Sequence, residues 1–458
     1  MITVLEKING FLWGAPTLVM IIGVGLYISV RTGFIQFRLF GRSLMKFISG
    51  IHVNKEASEG VSQFRALCTA LAATVGTGNI AGVAGAICIG GPGAVFWMWI
   101  CGFIGMATKF AEATLSVSYR TKNEEDEYVG GPMYMIELGM GQKWKWLACC
   151  YCFFGVIAAF GVGNATQINA VVGGVNAAIQ AIGADEISGI NLLVGALTAV
   201  FLGIVLIGGA KRVGAIAESL VPLASIAYLL FCIAVIVLRW NAVPGALISI
   251  IEGAFNPAAV TGGVLGSAFH ALRVGASRGT FTNEAGMGTA AIAHSAANAE
   301  HPVEQGMMGI VEVFLDTILI CTMTALVILS SGVAIPYGTE PGVSLTMYAF
   351  SGVLGDWVNI IIAIALAAFA IATVLGWGLY GGRCAQYLFG DDAWHIFVWA
   401  QIAATVLGAV ANTQTVWLLA EIVNALMAIP NLIVLAYLSP ELFRQIKDYR
   451  SYRKNRSR

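Results

Sequence analysis

The chain has 458 residues, 58% apolar and only 11% charged, where a soluble domain carries roughly 25% charged residues. Its 25 basic and 25 acidic residues cancel, so no global field points to nucleic acid or an acidic partner. The mean hydropathy of +0.81 excludes an ordinary soluble domain and leaves a chain whose surface mostly meets lipid or other apolar helices.

The first apolar run, Phe11 to Val30, follows Glu6 and Lys7 and ends at Arg31 with no small-x-small cleavage site. It reads as a spanning helix, not a cleaved leader. Phe34–Ile48 then mixes Phe, Leu and Met with Arg38, Arg42 and Lys46, the pattern of an interfacial helix. Runs of spanning length follow at 66–89, 93–119, 146–175, 190–208 and 213–238. The acidic cluster Glu124–Glu127 between them reads as a solvated loop. Residues 258–300 have the length of a crossing without its hydropathy; they are rich in Gly, Ala, Ser and Thr and carry Arg273, Arg278 and Glu284. Runs at 307–333, 357–382, 394–411 and 415–437 complete the set. Counting the weak segment as one interrupted crossing predicts an all-α polytopic membrane protein of about eleven helices. The tail from Glu441 is basic and polar, a solvated end suited to anionic headgroups.

Lys and Arg placement sets the orientation. With the N-terminus outside, 21 of the 25 basic residues fall on the inside. They include Arg31, Lys55, Arg65, Lys109, Arg120, Lys211, Arg383 and the tail to Arg458, while Lys7 and Arg239 fall outside. A multi-pass inner-membrane protein with a cytoplasmic C-terminus follows. Setting the first helix aside leaves five crossings over 66–238 and five over 258–437. Five is odd, so a second copy enters from the opposite side, the arithmetic of an inverted repeat. The chain then divides into residues 1–60 (extra helix and interfacial segment), 61–240 (first repeat), 241–440 (second repeat) and 441–458 (basic tail).

The nine Cys lie in apolar runs, form no CxxC and match no zinc spacing. They read as small packing residues, and the 55 Gly suit close helix contact in a bilayer. The five His are scattered, with no HExxH and no Ser-His-Asp order, so an enzyme is not expected.

The first helix of each half is the unusual one. Residues 66–89 carry Gly76-Thr77-Gly78-Asn79 near mid-span, and 258–300 carry Gly275, Gly279, Thr280, Phe281, Thr282, Asn283, Gly286 and Gly288. Interrupted helices at matching positions point to a midplane binding site. Unwinding around 75–78 frees backbone that lipid cannot satisfy. The entering half-helix ends in bare carbonyls, which suit a cation. The leaving half begins with bare N–H groups, which suit a carboxylate. One break thus offers a site for an amino acid and Na⁺, with Asn79 adding a side-chain amide.

At this point the chain resembles the alanine or glycine:cation symporter family, through Thr74–Gly82, the loop Gly130–Tyr134 and above all Thr282–Gly288. The resemblance covers nearly the whole chain. It implies the leucine-transporter fold, ten core helices in two inverted repeats. It also implies that the backbone of Thr77 and Gly78 and the Asn79 side chain hold a substrate carboxylate. Gln167 would face the substrate from the third core helix, and Phe281 and Thr282 from the broken sixth. Thr373 and Trp377 would face the pocket from the eighth, Trp377 limiting substrate size. The carbonyls of Ala72 and Val75 with the Thr373 hydroxyl resemble that fold's Na⁺ site, although Ala372 stands where many relatives have a second hydroxyl.

Glu218, Arg273, Arg278, Glu284, Glu312, Asp316 and Glu421 lie at apparent membrane depth, where ionisable groups are paired or functional. Asp316 either completes a second cation site with Asn79 or pairs with Arg273 or Arg278, pairing being the expectation. The leading reading is a secondary transporter importing alanine or glycine with Na⁺ and using no organic cofactor. Its alternatives are H⁺ coupling, glutamine as substrate, and a passive channel.

Overall fold

The computed structural model describes residues 2–52, 60–124, 126–181, 183, 189–411 and 413–456. Lys55, Glu125 and Arg458, invoked above, lie outside them. Apart from one hairpin, Thr121–Lys122 against Tyr128–Val129, and a single bridge between Val61 and Ala297, the regular secondary structure of the described residues is helical.

Among the described residues, eight helices are long and apolar enough to cross a membrane: Val4–Arg31, Gly93–Ser118, Gln142–Gln180, Gly209–Leu238, Pro302–Ser331, Val358–Phe389, Ala393–Val410 and Leu418–Tyr437. Apolar side chains are turned outward as well as inward. On Gly209–Leu238, Leu223, Ile226, Leu230, Ile233 and Val237 form an exposed stripe at helical spacing, the face a lipid-bounded helix presents. Ile190–Leu206 is apolar but shorter. Val243–Phe255 and Ser344–Leu354 are further short helices that hydropathy did not predict.

The two segments expected to be interrupted are both broken. The first runs as Gln63–Thr74 and Ala81–Gly90, the second as Ala268–Asn283 and Thr289–Ser295. They start alike, because Ser62 accepts the Arg65 N–H at 3.0 Å and Ser267 accepts the His270 N–H at 3.3 Å. Each serine satisfies an amide that the first helical turn leaves orphaned. The two broken helices lie side by side and antiparallel. Where the first begins the second ends: Val61 N–H donates to Ala296 O at 3.0 Å and Asn298 N–H to Val61 O at 2.7 Å. Where the first ends the second begins, with the His270 imidazole donating to Ile89 O at 3.0 Å. In the middle, a Cβ on Gly78 would stand 3.1 Å from Thr282 Cγ2, so the two breaks face each other.

Around this pair the helices approach closely. A Cβ on Gly93 would run into the Gly253 carbonyl, so Gly93–Ser118 and Val243–Phe255 touch backbone to backbone, as small residues permit. All nine Cys are free thiols, most of them buried. The interfacial segment forms a turn, Ile35–Arg38, and a helix, Phe40–His52, with Phe37, Met45 and Ile48 exposed.

Two charge assignments change. Lys109 is not a loop residue; it sits inside Gly93–Ser118 with 0% exposure. The tail is not merely solvated either. Ser439–Arg456 is a helix that buries Leu442, Ile446 and Tyr449 and sets Tyr449 and Tyr452 5.1 and 5.5 Å from the His301 ring.

Candidate functional site

The first helix stops where Val75 turns extended (φ −79°, ψ 93°) and Gly76 follows (φ −142°, ψ −155°); a 3₁₀ turn, Thr77–Asn79, leads into the second half. In an unbroken helix the amides of Gly76 and Thr77 would close onto the carbonyls of Ala72 and Ala73. They are diverted instead. Gly76 N–H donates to Asn79 Oδ1 at 2.9 Å, and Thr77 N–H donates to Gln167 Oε1 at 3.3 Å. The Thr77 hydroxyl donates to the same Gln167 oxygen at 2.8 Å. The Ala72 and Ala73 carbonyls are thereby released from the helical ladder.

Thr373 faces this release point. A Cβ on Gly76 would run into its hydroxyl, and a Cβ on Gly376 would stand 2.8 Å from the Ala73 amide nitrogen. A threonine inside a helix commonly bonds its own i−4 carbonyl. The Thr373 hydroxyl is buried and makes no hydrogen bond among the described residues. A lone buried hydroxyl costs about 1–3 kcal/mol, and one set beside Gly76, where the helix releases carbonyls, offers with them oxygen ligands suited to a hard cation such as Na⁺.

Asn79 is fully engaged. Its oxygen caps Gly76, while its Nδ2 donates to Asp316 Oδ1 at 2.6 Å and Asp316 O at 3.2 Å. The structure therefore brings Asn79 and Asp316 together and commits Arg278 elsewhere. Arg278 pairs with Glu340 at 2.9 Å and Glu421 at 3.5 Å, and Glu218 pairs with Arg65 at 2.7 Å. Asp316 lies in a π-helical turn, Phe314–Cys321, and accepts the Thr317 hydroxyl at 2.7 Å. A second π turn, Gly161–Ala165, precedes Gln167; it frees the Val162 carbonyl to accept Gln167 Nε2 at 3.1 Å. Wide turns of this kind concentrate at functional sites, and both orient a side chain on the first break.

At the second break Glu284 adopts a left-handed conformation (φ 54°), rare for a residue with a side chain and a mark of local strain. Gly286 (φ 95°) and Gly288 (φ 76°) complete the turn. Phe281 and Thr282 pack on Gly78. The Thr282 hydroxyl donates to Gly279 O at 2.9 Å. Trp377 is buried, donates its indole N–H to Glu284 Oε1 at 2.7 Å and packs so tightly on Gly163 that a Cβ there would meet its ring. Thr77, Gly78, Asn79, Gln167, Phe281, Thr282 and Thr373 thus meet around the paired breaks, and Trp377 joins through Glu284.

Several residues here escaped sequence reasoning. Glu112 Oε1 accepts the N–H groups of Gly286 at 2.9 Å and Gly288 at 3.1 Å and the Asn431 amide at 2.7 Å. Lys109 lies 3.3 Å from Glu312 Oε1 and 4.0 Å from Glu112 Oε2, all three fully buried. His294 Nε2 donates to Glu312 at 2.9 Å and its Nδ1 accepts from Gln305 at 2.6 Å. The available signal was Lys109 and Glu112 three apart on an apolar helix, a placement that calls for buried partners.

Beside the shared end of the broken helices lies a cavity of about 420 Å³, lined by Ala66, Thr69, Tyr128, Ala293, Ala296 and Arg383 among others. Glu127 stands at its wall, bridging Arg383 at 2.9 Å and Lys211 at 3.2 Å, so it is not simply solvated. Burial alone would raise its carboxyl, but the bonds and charges of Arg383 and Lys211 hold it below the ordinary range.

The model of the sodium:alanine symporter family matches residues 1–458. The chain is 39% identical to the sodium/alanine symporter AgcS of Methanococcus maripaludis, covering 100% of this chain and 99% of that protein. It is 41% identical to an uncharacterized transporter of Haemophilus influenzae, covering 98% and 96%. Among solved structures it resembles MhsT in complex with L-phenylalanine, with a TM-score of 0.57 at 16% identity over 83% of this chain and 90% of that one.

Proposed function

This chain belongs to the sodium:alanine symporter family, a family of multi-pass membrane transporters and not of enzymes, and we propose that it imports a small neutral amino acid, alanine or glycine, together with Na⁺. The observation that carries the reading is the first break. Two carbonyls leave the helical ladder beside the unpartnered Thr373 hydroxyl, a few ångströms from the Thr77–Gln167 pair.

Na⁺ would sit between the carbonyls of Ala72 and Val75 and the Thr373 hydroxyl, with Asn79 and Asp316 as a second candidate pair. The substrate carboxylate would meet the backbone of Thr77 and Gly78, with Gln167, Phe281 and Thr282 around it. Asn79 would act there mainly by holding the break open, because both ends of its amide are already bonded. Trp377 and Phe281 would limit side-chain size.

The proposed architecture is the leucine-transporter fold with eleven crossings. It counts the eight long helices, Ile190–Leu206, and the two broken helices as one crossing each. The antiparallel broken pair supports residues 61–240 and 241–440 as inverted repeats, with 1–60 and 441–458 as additions. The N-terminus would lie outside and the C-terminus in the cytoplasm; moving Lys109 into the membrane leaves the charge bias unchanged in sign. In that orientation the cavity beside Arg383 opens to the cytoplasm and the Arg278–Glu340 pair closes the opposite side. Alternating access would rock one set of helices around the fixed breaks.

A second reading, H⁺ coupling, is favoured by one observation: Glu112 and Glu312 flank Lys109 in a buried cluster that His294 joins through Glu312. Uptake of labelled alanine and glutamine into liposomes with imposed Na⁺ or H⁺ gradients separates the readings. Concentrative uptake driven by Na⁺ alone is expected. Uptake driven only by H⁺ overturns the Na⁺ assignment, glutamine preference overturns the small-substrate assignment, and non-saturable equilibration makes the protein a channel.

A further inference from the structure

Arg38 and Arg42 are four residues apart beside and on the interfacial helix, and Arg450 and Arg453 three apart on the C-terminal helix. The fold brings all four to the wall of one cavity of about 260 Å³, whose other lining includes Ile446 and Tyr449. The docking of the C-terminal helix holds them there, with Tyr449 buried against His301. Arg42, Arg450 and Arg453 are exposed and enter no hydrogen bond or ion pair among the described residues. Arg38 commits one nitrogen to Thr32 O at 3.0 Å. The neighbouring carboxylate of Glu304 is already taken by Lys46 at 2.7 Å.

Four like charges gathered in one pocket repel each other unless an anion joins them. Guanidinium forks match phosphate oxygens two at a time. The surroundings narrow the source of the phosphate. The floor of the cavity is apolar (Ile446 with Tyr449), and the outer face of the same interfacial segment shows Phe37, Met45 and Ile48. A charged cup beside an exposed apolar ridge fits an amphiphile, with its headgroup in the cup and its chains along the ridge. Basic pockets between helices at the membrane edge hold anionic lipid headgroups in this way.

We propose that the cavity between the interfacial helix and the C-terminal helix binds the headgroup of an anionic phospholipid through Arg38, Arg42, Arg450 and Arg453. A lipid with two phosphates engages both pairs of arginines and binds tighter than one with a single phosphate. Each exposed arginine near a membrane contributes about a fivefold factor in attraction, so removing three weakens binding about 100-fold.

The test uses the full chain purified in detergent. Retained lipid is read by native mass spectrometry and thermal unfolding during titration with diphosphatidylglycerol, phosphatidylglycerol or phosphatidylcholine. Diphosphatidylglycerol is expected to bind and to raise the unfolding temperature, phosphatidylcholine to do neither. R42A/R450A/R453A should lose that binding, whereas R444A, whose guanidinium pairs with Glu441 outside the cavity, should keep it. Equal binding of phosphatidylcholine by the unaltered chain overturns the proposal, whether or not the triple variant folds. So does unchanged affinity in a folded triple variant. Inorganic phosphate that displaces the lipid at equal concentration and stabilises the protein as well would make this a free-phosphate site instead, also overturning it.

Discussion

Asn79 Nδ2 stands 2.6 Å from Asp316 Oδ1, tying the break of one helix to the π-helical turn of another 237 residues away in sequence. The same amide caps Gly76 from its other end, so a single side chain fixes both the shape of the break and its neighbour. In a dry interior such a pair is costly to disturb, since each abandoned partner loses about 1–3 kcal/mol. Asn79→Ala is expected to abolish alanine uptake and to lower thermal stability by that amount. Asp316→Asn keeps an acceptor and removes the charge. If Asp316 helps to hold a cation, that variant needs at least about tenfold more Na⁺ for half-maximal uptake; an unchanged Na⁺ titration makes Asp316 purely structural.

Thr373→Ala removes the unpartnered hydroxyl beside the released carbonyls. Na⁺ affinity should fall about tenfold, a loss of about 1.4 kcal/mol, with no loss of folding stability in the absence of Na⁺, because the change removes an unpaired buried hydroxyl. Thr373→Ser should restore it. Na⁺-dependent uptake measured across the three proteins checks this, and an alanine variant with normal Na⁺ dependence removes Thr373 from the ion site.

Trp377 and Gly163 are in tight contact, and the indole also holds Glu284 at 2.7 Å. Trp377→Phe loses the Glu284 bond while keeping most of the volume. Trp377→Ala loses both and opens the pocket. Competition assays should show larger neutral amino acids inhibiting alanine uptake in the alanine variant and not in the phenylalanine variant. Equal exclusion by both would place the size limit elsewhere.

Lys109 lies between Glu312 and Glu112 in a fully buried setting, nearer to Glu312. Removing one member of a buried pair costs about 3–5 kcal/mol, because the remaining charge is stranded. Lys109→Met should therefore unfold at markedly lower temperature, and K109M/E312Q should recover part of the loss. Failure of the second change to help would mean that Glu312 is balanced by His294 alone.

Glu127 ties the hairpin to Arg383 and Lys211, which hold its carboxyl below the ordinary value of 4.5. A lowered folded value means that the tie stabilises fully above pH 4.5 and is lost as pH falls through the lowered value. Because the group is only half-buried, the effect is under about 1 kcal/mol. Hydrogen exchange of the hairpin amides should stay constant from neutral pH down to that range, after correction for intrinsic rates, and then rise. Glu127→Gln should exchange at the faster rate throughout.

Both helix breaks were legible in the chain because they are written locally: Gly76-Thr77-Gly78-Asn79 and the glycines through Gly288 mark them within a few residues. The spanning runs were legible for the same reason. Lys109 was misplaced because counting charges by position treats each as solvated, whereas its partner Glu312 lies two hundred residues away. Glu112 was missed on similar grounds, since its three donors come from Gly286, Gly288 and Asn431. Val243–Phe255 escaped notice because thirteen residues are too few to register as a crossing. Clustering of Arg38 with Arg453 depends on how the last helix folds back, which no local pattern records.

The carboxylate of Glu112 acts as a knot through three strands of rope, gathering a main-chain turn and two helices that are remote along the chain. Untying it during a transport cycle would leave the carboxyl and its three N–H donors without partners in a dry interior, at about 1–3 kcal/mol for each abandoned group. Keeping the knot tied would make the segments around residues 112, 286 and 431 move together as one block. Any sliding surface of the machine has to run outside them.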